Sequence, residues 1–207
     1  MKSLVRALSL VLAVAMVATT EAGAAQGPTI KGDPQAWAEV KAALGRLATL
    51  KTYRIKGMIR TGDTQAWEMV NPDRVHYTRT LGGKTIDTIR VGNEMRVRDG
   101  AKWTCPKIPM PVPDPNTEYG TGATEVTAQK GPIEVVDGVQ TQTYTYVLTM
   151  GLNIGPIGGK VNLKLYVGHA NGLPKRQQGL NEKGTVNFTW DYYDFNAPII
   201  IDLPSCA

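Results

Sequence analysis

Few residues of this 207-residue chain could carry out covalent chemistry. The only cysteines are Cys105 and Cys206, and the only histidines are His76 and His169. A cysteine nucleophile needs a free thiolate within hydrogen-bonding distance of a base, so Cys105 would have to be unpaired and lie beside a histidine. Ser205 is the only serine beyond residue 9, which disfavours a serine triad. The small number of cysteines, histidines and serines therefore argues against nucleophilic catalysis.

Other enzymatic signatures are also weak. The chain has no glycine-rich phosphate loop, and its cysteines and histidines are too far apart in sequence to resemble a zinc site. Paired carboxylates, as in glycoside hydrolases, stay open as an alternative because Asp and Glu occur throughout the chain. Most of these acids, however, occupy turns or the polar positions of alternating segments. We therefore expect no enzymatic activity, no metal site and no cofactor.

Residues 1–24 have the three parts of a cleavable signal peptide. Lys2 and Arg6 supply positive charge, residues 7–18 are uncharged and mostly apolar, and the small residues 22–24 suit a cleavage site. The apolar run is too short to cross about 30 Å of hydrocarbon comfortably, which disfavours an uncleaved membrane anchor. No cysteine follows it to accept a lipid. We predict export to the periplasm as a soluble protein, with residues 25–207 forming a single domain.

Export also bears on the cysteines and on the charge. In an oxidising compartment a pair of cysteines more often forms a disulfide than two free thiols, so we predict a bond between Cys105 and Cys206.

The net charge of +5 is spread over singly placed lysines and arginines. Nucleic-acid binding usually requires clustered positive charge, so we expect none. We expect the protein to be a monomer.

One amphipathic helix is predicted near the start of the mature chain. Asp33 is a suitable N-cap residue, and Pro34 fits the first helical position. Apolar residues then recur at three- and four-residue steps as far as Thr49. This apolar face consists of Trp37, Val40, Leu44 and Leu47.

From residue 53 onward the apolar residues recur at every second position, as in strands with one apolar and one polar face. Short turns rich in Gly, Asn and Pro separate the runs, which predicts an antiparallel meander. A proline-rich segment at 106–115 and an uncharged segment at 150–159 are predicted loops, and residues 123–132 fit a short helix or a loop.

Cationic residues alternate with the apolar ones in the first meander and are predicted on its polar face. They form either a solvated surface or a surface for an anionic partner. They are Arg54, Lys56, Arg60, Arg74, Arg79, Arg90, Arg96 and Arg98.

A single helix covers little of the apolar face that so many strands provide. The sheet must curl around the helix, or the concave face must be incompletely filled. Methionines and aromatic residues suit an adaptable apolar pocket, and a filled core is the alternative for the same residues. The predicted cavity lining is Trp37, Val40, Leu44, Leu47, Ile55, Trp67, Met69, Val75, Tyr77, Met95, Leu165 and Trp190.

The order of several segments resembles the LolA/LolB-like superfamily of envelope proteins. These segments are LKTYRIKGMIR, EMVNPDRVHYT, IRVGNEMRVRDGAKW, LYVGHANGLPKRQQ and YYDFNAPIIIDLP. The superfamily includes periplasmic lipoprotein carriers and actinobacterial lipid-binding lipoproteins. The resemblance implies a mainly β fold: a strongly curved antiparallel half-barrel of about nine to eleven strands, with one to three helices over its concave face. No lipobox cysteine is present, and no residue here matches a carrier's gating position.

The resemblance further implies a periplasmic carrier or chaperone that holds the acyl chains of a lipid or lipoprotein in an apolar cavity. A transfer partner in the inner or outer membrane is compatible with that role. The alternative is a non-enzymatic regulatory or scaffold module of the same fold that binds another envelope protein.

Overall fold

The computed structural model describes residues 27–106, 123–150 and 159–206. The predicted signal peptide lies outside these residues, as do most of the two predicted loops. The described elements, in chain order, are β1 (Thr29–Gly32), α1 (Pro34–Leu47), β2 (Thr52–Ile59), β3 (Thr64–Val70), β4 (Arg74–Leu81), β5 (Lys84–Val91), β6 (Glu94–Asp99), β7 (Trp103–Thr104), β8 (Ala123–Val136), β9 (Val139–Met150), β10 (Lys160–Gly168), β11 (Pro174–Leu180) and β12 (Val186–Tyr193).

All the described strands belong to one curled sheet that does not close into a barrel. Their order is β1-β8-β9-β10-β11-β12-β2-β3-β4-β5-β6-β7. Neighbours are antiparallel except β1 and β8, which are parallel. The predicted half-barrel is confirmed. Its twelve described strands exceed the predicted nine to eleven because the edge strands β1 and β7 have only four and two residues, too few to show an alternating pattern.

Residues 123–132 are part of a long strand and not the predicted short helix or loop. Val126 and Ala128 point to the concave face and are fully buried there, opposite Leu148 and Tyr146 of β9. The alternation is hard to see in the sequence because one of the two buried residues is only an alanine. A register shift then interrupts the regular pairing with β9 between Lys130 and Ile133.

The predicted helix forms, and side chains satisfy both of its ends. The Asp33 carboxylate accepts hydrogen bonds from the backbone N–H groups of Gln35 (2.9 Å) and Ala36 (3.2 Å), as expected of an N-cap. At the other end, the Asn71 side chain donates to the carbonyl groups of Leu47 (2.9 Å) and Leu50 (2.8 Å). The helix ends at Leu47, two residues earlier than predicted. None of the helices in the described ranges is long and apolar enough to cross a membrane.

The core has two parts. One lies between α1 and strands β8–β10, and it buries Val40, Ala43 and Leu165. The other lies on the concave side of β2, β3, β4 and β12, beneath the C-terminal end of α1, and it contains Leu47 and Trp67. The helix therefore packs closely against one half of the concave face and only by its last turn against the other half.

Candidate functional site

A cavity of about 450 Å³ lies between α1 and the concave face of β2–β5. Its volume falls within the roughly 300–1,000 Å³ typical of small-molecule sites. The helix contributes Trp37, Lys41, Leu44, Gly45 and Leu47, with Ala48 just beyond its end. The rest of the lining comes from Tyr53, Met69, Asn71, Pro72, Arg74, Val75 and Arg90.

The cavity lies on this side because α1 is fastened to the opposite side. The Glu39 carboxylate accepts hydrogen bonds from Lys130 Nζ of β8 (2.8 Å) and from the Tyr144 hydroxyl group of β9 (2.6 Å). Near the end of the helix, Arg46 Nη1 donates to the carbonyl group of Gly172 (2.9 Å). These bonds hold the helix over β8–β10.

The charge at Glu39 is well stabilised. Hydrogen bonds from Lys130, Tyr144 and Gln35 lower the pKa of Glu39 from 4.5 to about 2. Burial raises the pKa of Tyr144, and the hydrogen bond to ionised Glu39 raises it further. At neutral pH the helix is therefore held by a carboxylate that accepts bonds from an ammonium group and a protonated phenol, a strong class of hydrogen bond.

The structure divides the predicted cavity residues into two groups. Five of them line the cavity: Trp37, Leu44, Leu47, Met69 and Val75. Three of these five, Leu47, Met69 and Val75, are also buried in the core of β2–β4 and β12. The other seven do not line the cavity. Val40 and Leu165 pack between α1 and β8–β10, Ile55, Trp67, Tyr77 and Trp190 pack together on β2–β4 and β12, and Met95 is buried on β6. The concave face is thus partly solid core and partly hollow.

Two predicted polar-face residues lie on the concave face instead. Arg90 is directly opposite Val75 in the β4–β5 ladder, so both side chains share the apolar face. Arg79 is four residues from Val75 on β4 and therefore shares that face. The prediction was wrong because Ile89 and Val91 are more apolar than Arg90, so hydropathy alone favours the inner face for them. Ile89 instead lies opposite His76 on the convex face.

A local signal for this register exists in the sequence. Gly82 and Gly83 form a two-residue turn between the paired residues Leu81 and Lys84, and both glycines have positive φ angles of 56° and 80°. Such turns fix the register of a hairpin. Counting back from the Leu81–Lys84 pair would have placed Arg90 opposite Val75.

The cavity lining is cationic as well as apolar. Lys41, Arg74 and Arg90 contribute to it, and no carboxylate is among the described residues that line it. Arg74 is next to Val75 on β4, so its side chain points to the convex face, where Nη1 donates to the carbonyl group of Ile201 (2.9 Å). Lys41 Nζ lies 5.9 Å from the centre of the Trp37 ring. Arg90 Nε is buried and has no hydrogen-bond partner.

Arg54 and Arg98 belong to a charge network on the convex face. Arg54 Nε donates to Glu68 (2.8 Å), whose other oxygen lies 3.1 Å from His76 Nδ1, and Arg98 pairs with Asp87. Burial raises the pKa of Asp87, but hydrogen bonds from Arg98 and Thr78 outweigh burial and bring that pKa below its ordinary value. These acids are thus held as salt-bridged carboxylates. Within the described ranges, no group of three His, Cys, Asp or Glu residues could hold a metal ion.

Two other depressions, of about 600 and 590 Å³, lie on the convex side of the sheet. The first is lined mainly by polar side chains of β8–β11, among them Gln129 and Asn162. The second includes the charged residues Lys56, Arg176 and Asp191. Strand and turn residues alone line both grooves, whereas α1 covers the concave cavity. The concave cavity is therefore the better candidate for shielding an apolar ligand.

The C-terminal segment crosses the convex face as a strap. Its carbonyl groups accept hydrogen bonds from Thr52 at Ala197 (2.6 Å) and from Arg96 at Pro204 (3.2 Å). The strap ends in the predicted disulfide between Cys105 and Cys206, whose Cα atoms are 5.9 Å apart. This confirms the predicted bond and leaves no thiol among the described residues.

Comparison with known proteins shows the fold. No protein-family model and no curated protein sequence matches the chain. The crystal structure of LprF from Mycobacterium bovis matches with a TM-score of 0.60 and 11% sequence identity, over 84% of this chain and 99% of that one. The LolA superfamily protein NE2245 from Nitrosomonas europaea matches at 11% identity over 82% and 94% of the two chains, with a TM-score of 0.31. The MucA/MucB complex of Pseudomonas aeruginosa matches at 16% identity over 76% and 56%, with a TM-score of 0.34.

Proposed function

Starting from the LolA/LolB-like fold of this chain, we propose that it is an exported, periplasmic carrier or chaperone that binds an acyl chain of a lipid or lipoprotein. The observation that carries this proposal is the cavity of about 450 Å³ between α1 and the concave sheet. The ligand is shielded and handed on without being chemically changed, so the role requires no catalytic residue and no cofactor.

Burial of the acyl chain supplies the binding energy. Each CH₂ group removed from water contributes roughly 0.8 kcal/mol, so eight buried groups would contribute about 6 kcal/mol before the costs of association are subtracted. The lining offers Leu44, Leu47, Tyr53, Met69 and Val75 as contact surfaces. Met69 is unbranched and polarizable, which lets it adapt to chains of different shape.

The attachment of α1 supports a carrier that loads and unloads from one side. The bonds from Glu39 to Lys130 and Tyr144 hold the helix to β8 and β9. Leu44, by contrast, is only partly buried and borders the cavity. A ligand can therefore enter between the helix and β3–β5 without breaking the packed half of the core.

A second candidate is a non-enzymatic regulatory or scaffold module that binds another envelope protein. The observation that favours it is the solid core between α1 and β8–β10, where Val40, Val126 and Leu165 are fully buried and leave no room for a ligand. The hollow half beside β3–β5 makes the carrier the better-supported function.

Mass spectrometry of bound lipid distinguishes the two candidates. The protein would be exported to the periplasm of a bacterial host, purified without detergent, and extracted with organic solvent. A carrier yields an acylated lipid in near-stoichiometric amount, whereas an unrelated periplasmic protein taken through the same columns does not. An extract with no acyl lipid above that control, together with no uptake of added lipid, would favour the scaffold module.

A further inference from the structure

Arg90 places a charged group in an otherwise apolar wall. It points into the concave side opposite Val75 and lines the cavity, next to Met95 of β6 on the same face. Its Nε atom is buried and donates to no acceptor. An unpaired buried donor on a charged side chain is costly, and a hydrophobic residue at this position would pack without that cost.

The charge of Arg90 is not neutralised within the cavity. No carboxylate occurs among the described lining residues, while Lys41 adds positive charge. Glu68 and Asp87 of the neighbouring strands are engaged on the convex face, where they pair with Arg54 and Arg98. The cavity therefore combines apolar surface with positive charge that no described lining carboxylate offsets.

Arg79 is the other concave arginine, and its Nε atom is also buried without a partner. It lies four residues from Val75 on β4, about 13 Å along the strand at about 3.3 Å per residue. Hydrogen bonds from Thr61 and from the backbone N–H group of Gly82 lower the pKa of Asp63, and the nearby charge of Arg79 lowers it further, so Arg79 has an acidic neighbour. Arg79 also does not line the cavity. These differences identify Arg90 as the group that faces a ligand.

Resting on the proposed function, we propose that the ligand is an anionic amphiphile whose carboxylate or phosphate ester is bound by Arg90. A guanidinium group presents paired N–H donors that match both kinds of anion. Lys41 lies on the exposed side of the cavity and adds a second positive charge near the head group. The acyl chain then contacts Leu44, Met69 and Val75.

Two pairs of probes test this assignment. Oleate and methyl oleate share a chain and differ in head-group charge, as do oleoyl lysophosphatidic acid and monooleoylglycerol. Affinities would be measured by displacement of a neutral fluorescent acyl probe, below the critical micelle concentration. We expect at least one anionic member to bind about tenfold more tightly than its neutral partner. The pair that shows the difference distinguishes a fatty acid from a phospholipid head group.

Variants assign the preference to Arg90. In Arg90→Met the ratio of the affinities for the charged and neutral members is expected to fall to about one, and binding of the neutral member reports whether the cavity is intact. Arg90→Lys should keep part of the preference. Arg60→Met, which removes the same charge from an exposed position, is the matched control and should behave as wild type.

Three results would overturn the assignment. One is equal affinity of the wild-type protein for the charged and neutral members of both pairs. A second is a preference that survives in Arg90→Met, or that Arg60→Met also removes, because the charge would then act from the surface. The third is no binding of any probe, which would overturn the proposed function together with this assignment. The first two leave acyl binding in place.

Discussion

The hydroxyl group of Tyr144 donates a 2.6 Å hydrogen bond to the carboxylate of Glu39. The two residues are 105 positions apart, and their bond joins α1 to β9. Together with the bond from Lys130, it fixes the helix over the solid half of the concave face. The opposite side of the helix borders the cavity.

Replacing Glu39 with Gln should make stability less dependent on acid pH. The pKa of Glu39 is lowered from 4.5 to about 2, so its ionised form stabilises the fold. That contribution is complete above about pH 4.5 and is lost as pH falls towards 2. We expect Glu39→Gln to be about 1 kcal/mol less stable at pH 7, because the pair is partly exposed, and equal to wild type near pH 2.

Urea denaturation between pH 2 and pH 7 measures this difference. Glu182→Gln, which removes an exposed carboxylate outside α1, is the matched control. A difference at Glu39 that does not shrink as the pH falls would show that the carboxylate does not hold the helix.

The disulfide should stabilise the fold by restraining the strap. It joins residues 101 positions apart, and closure of a loop this long limits the unfolded chain. We expect the double variant Cys105→Ser, Cys206→Ser to lose about 2–4 kcal/mol of unfolding free energy. Unfolded, unreduced wild-type protein should show no thiol by labelling. Two labelled thiols per chain, or a double variant as stable as wild type, would contradict this role.

Carboxylates introduced into α1 should report which side of the helix is packed. Val40 is fully buried against β8–β10, so Val40→Asp is expected to cost about 4 kcal/mol or more. Leu44 is partly buried at the cavity, where water and Lys41 can stabilise the new charge. Leu44→Asp should therefore cost about half as much, and Ala42→Asp on the exposed side little. Thermal denaturation of the three variants tests this order, and equal losses at positions 40 and 44 would indicate that the cavity is closed.

The local features of the fold were predictable, and the long-range ones were not. Asp33, Pro34 and the helical spacing predicted α1, and the alternation predicted most strands. The face of Arg90 was missed because hydropathy was given more weight than the register set by the Gly82–Gly83 turn. The position of the cavity depends on where Glu39 fastens the helix across the sheet, and no local pattern around Glu39 indicates Tyr144 as its partner.

The occupancy of the cavity is tested most directly at Val75. This residue borders the cavity, so Val75→Trp should fill empty space. Val126, on β8, is 0% exposed and packed in the solid half, so Val126→Trp should overpack the core and cost about 1–3 kcal/mol.

Titration of wild-type protein and both variants with a fluorescent fatty acid, alongside thermal denaturation, gives the decisive comparison. We predict micromolar or tighter binding by wild type, at least tenfold weaker binding by Val75→Trp with little loss of stability, and a loss of stability in Val126→Trp. Equal destabilisation by the two tryptophans, with no probe bound at micromolar concentration, would contradict an acyl-binding cavity.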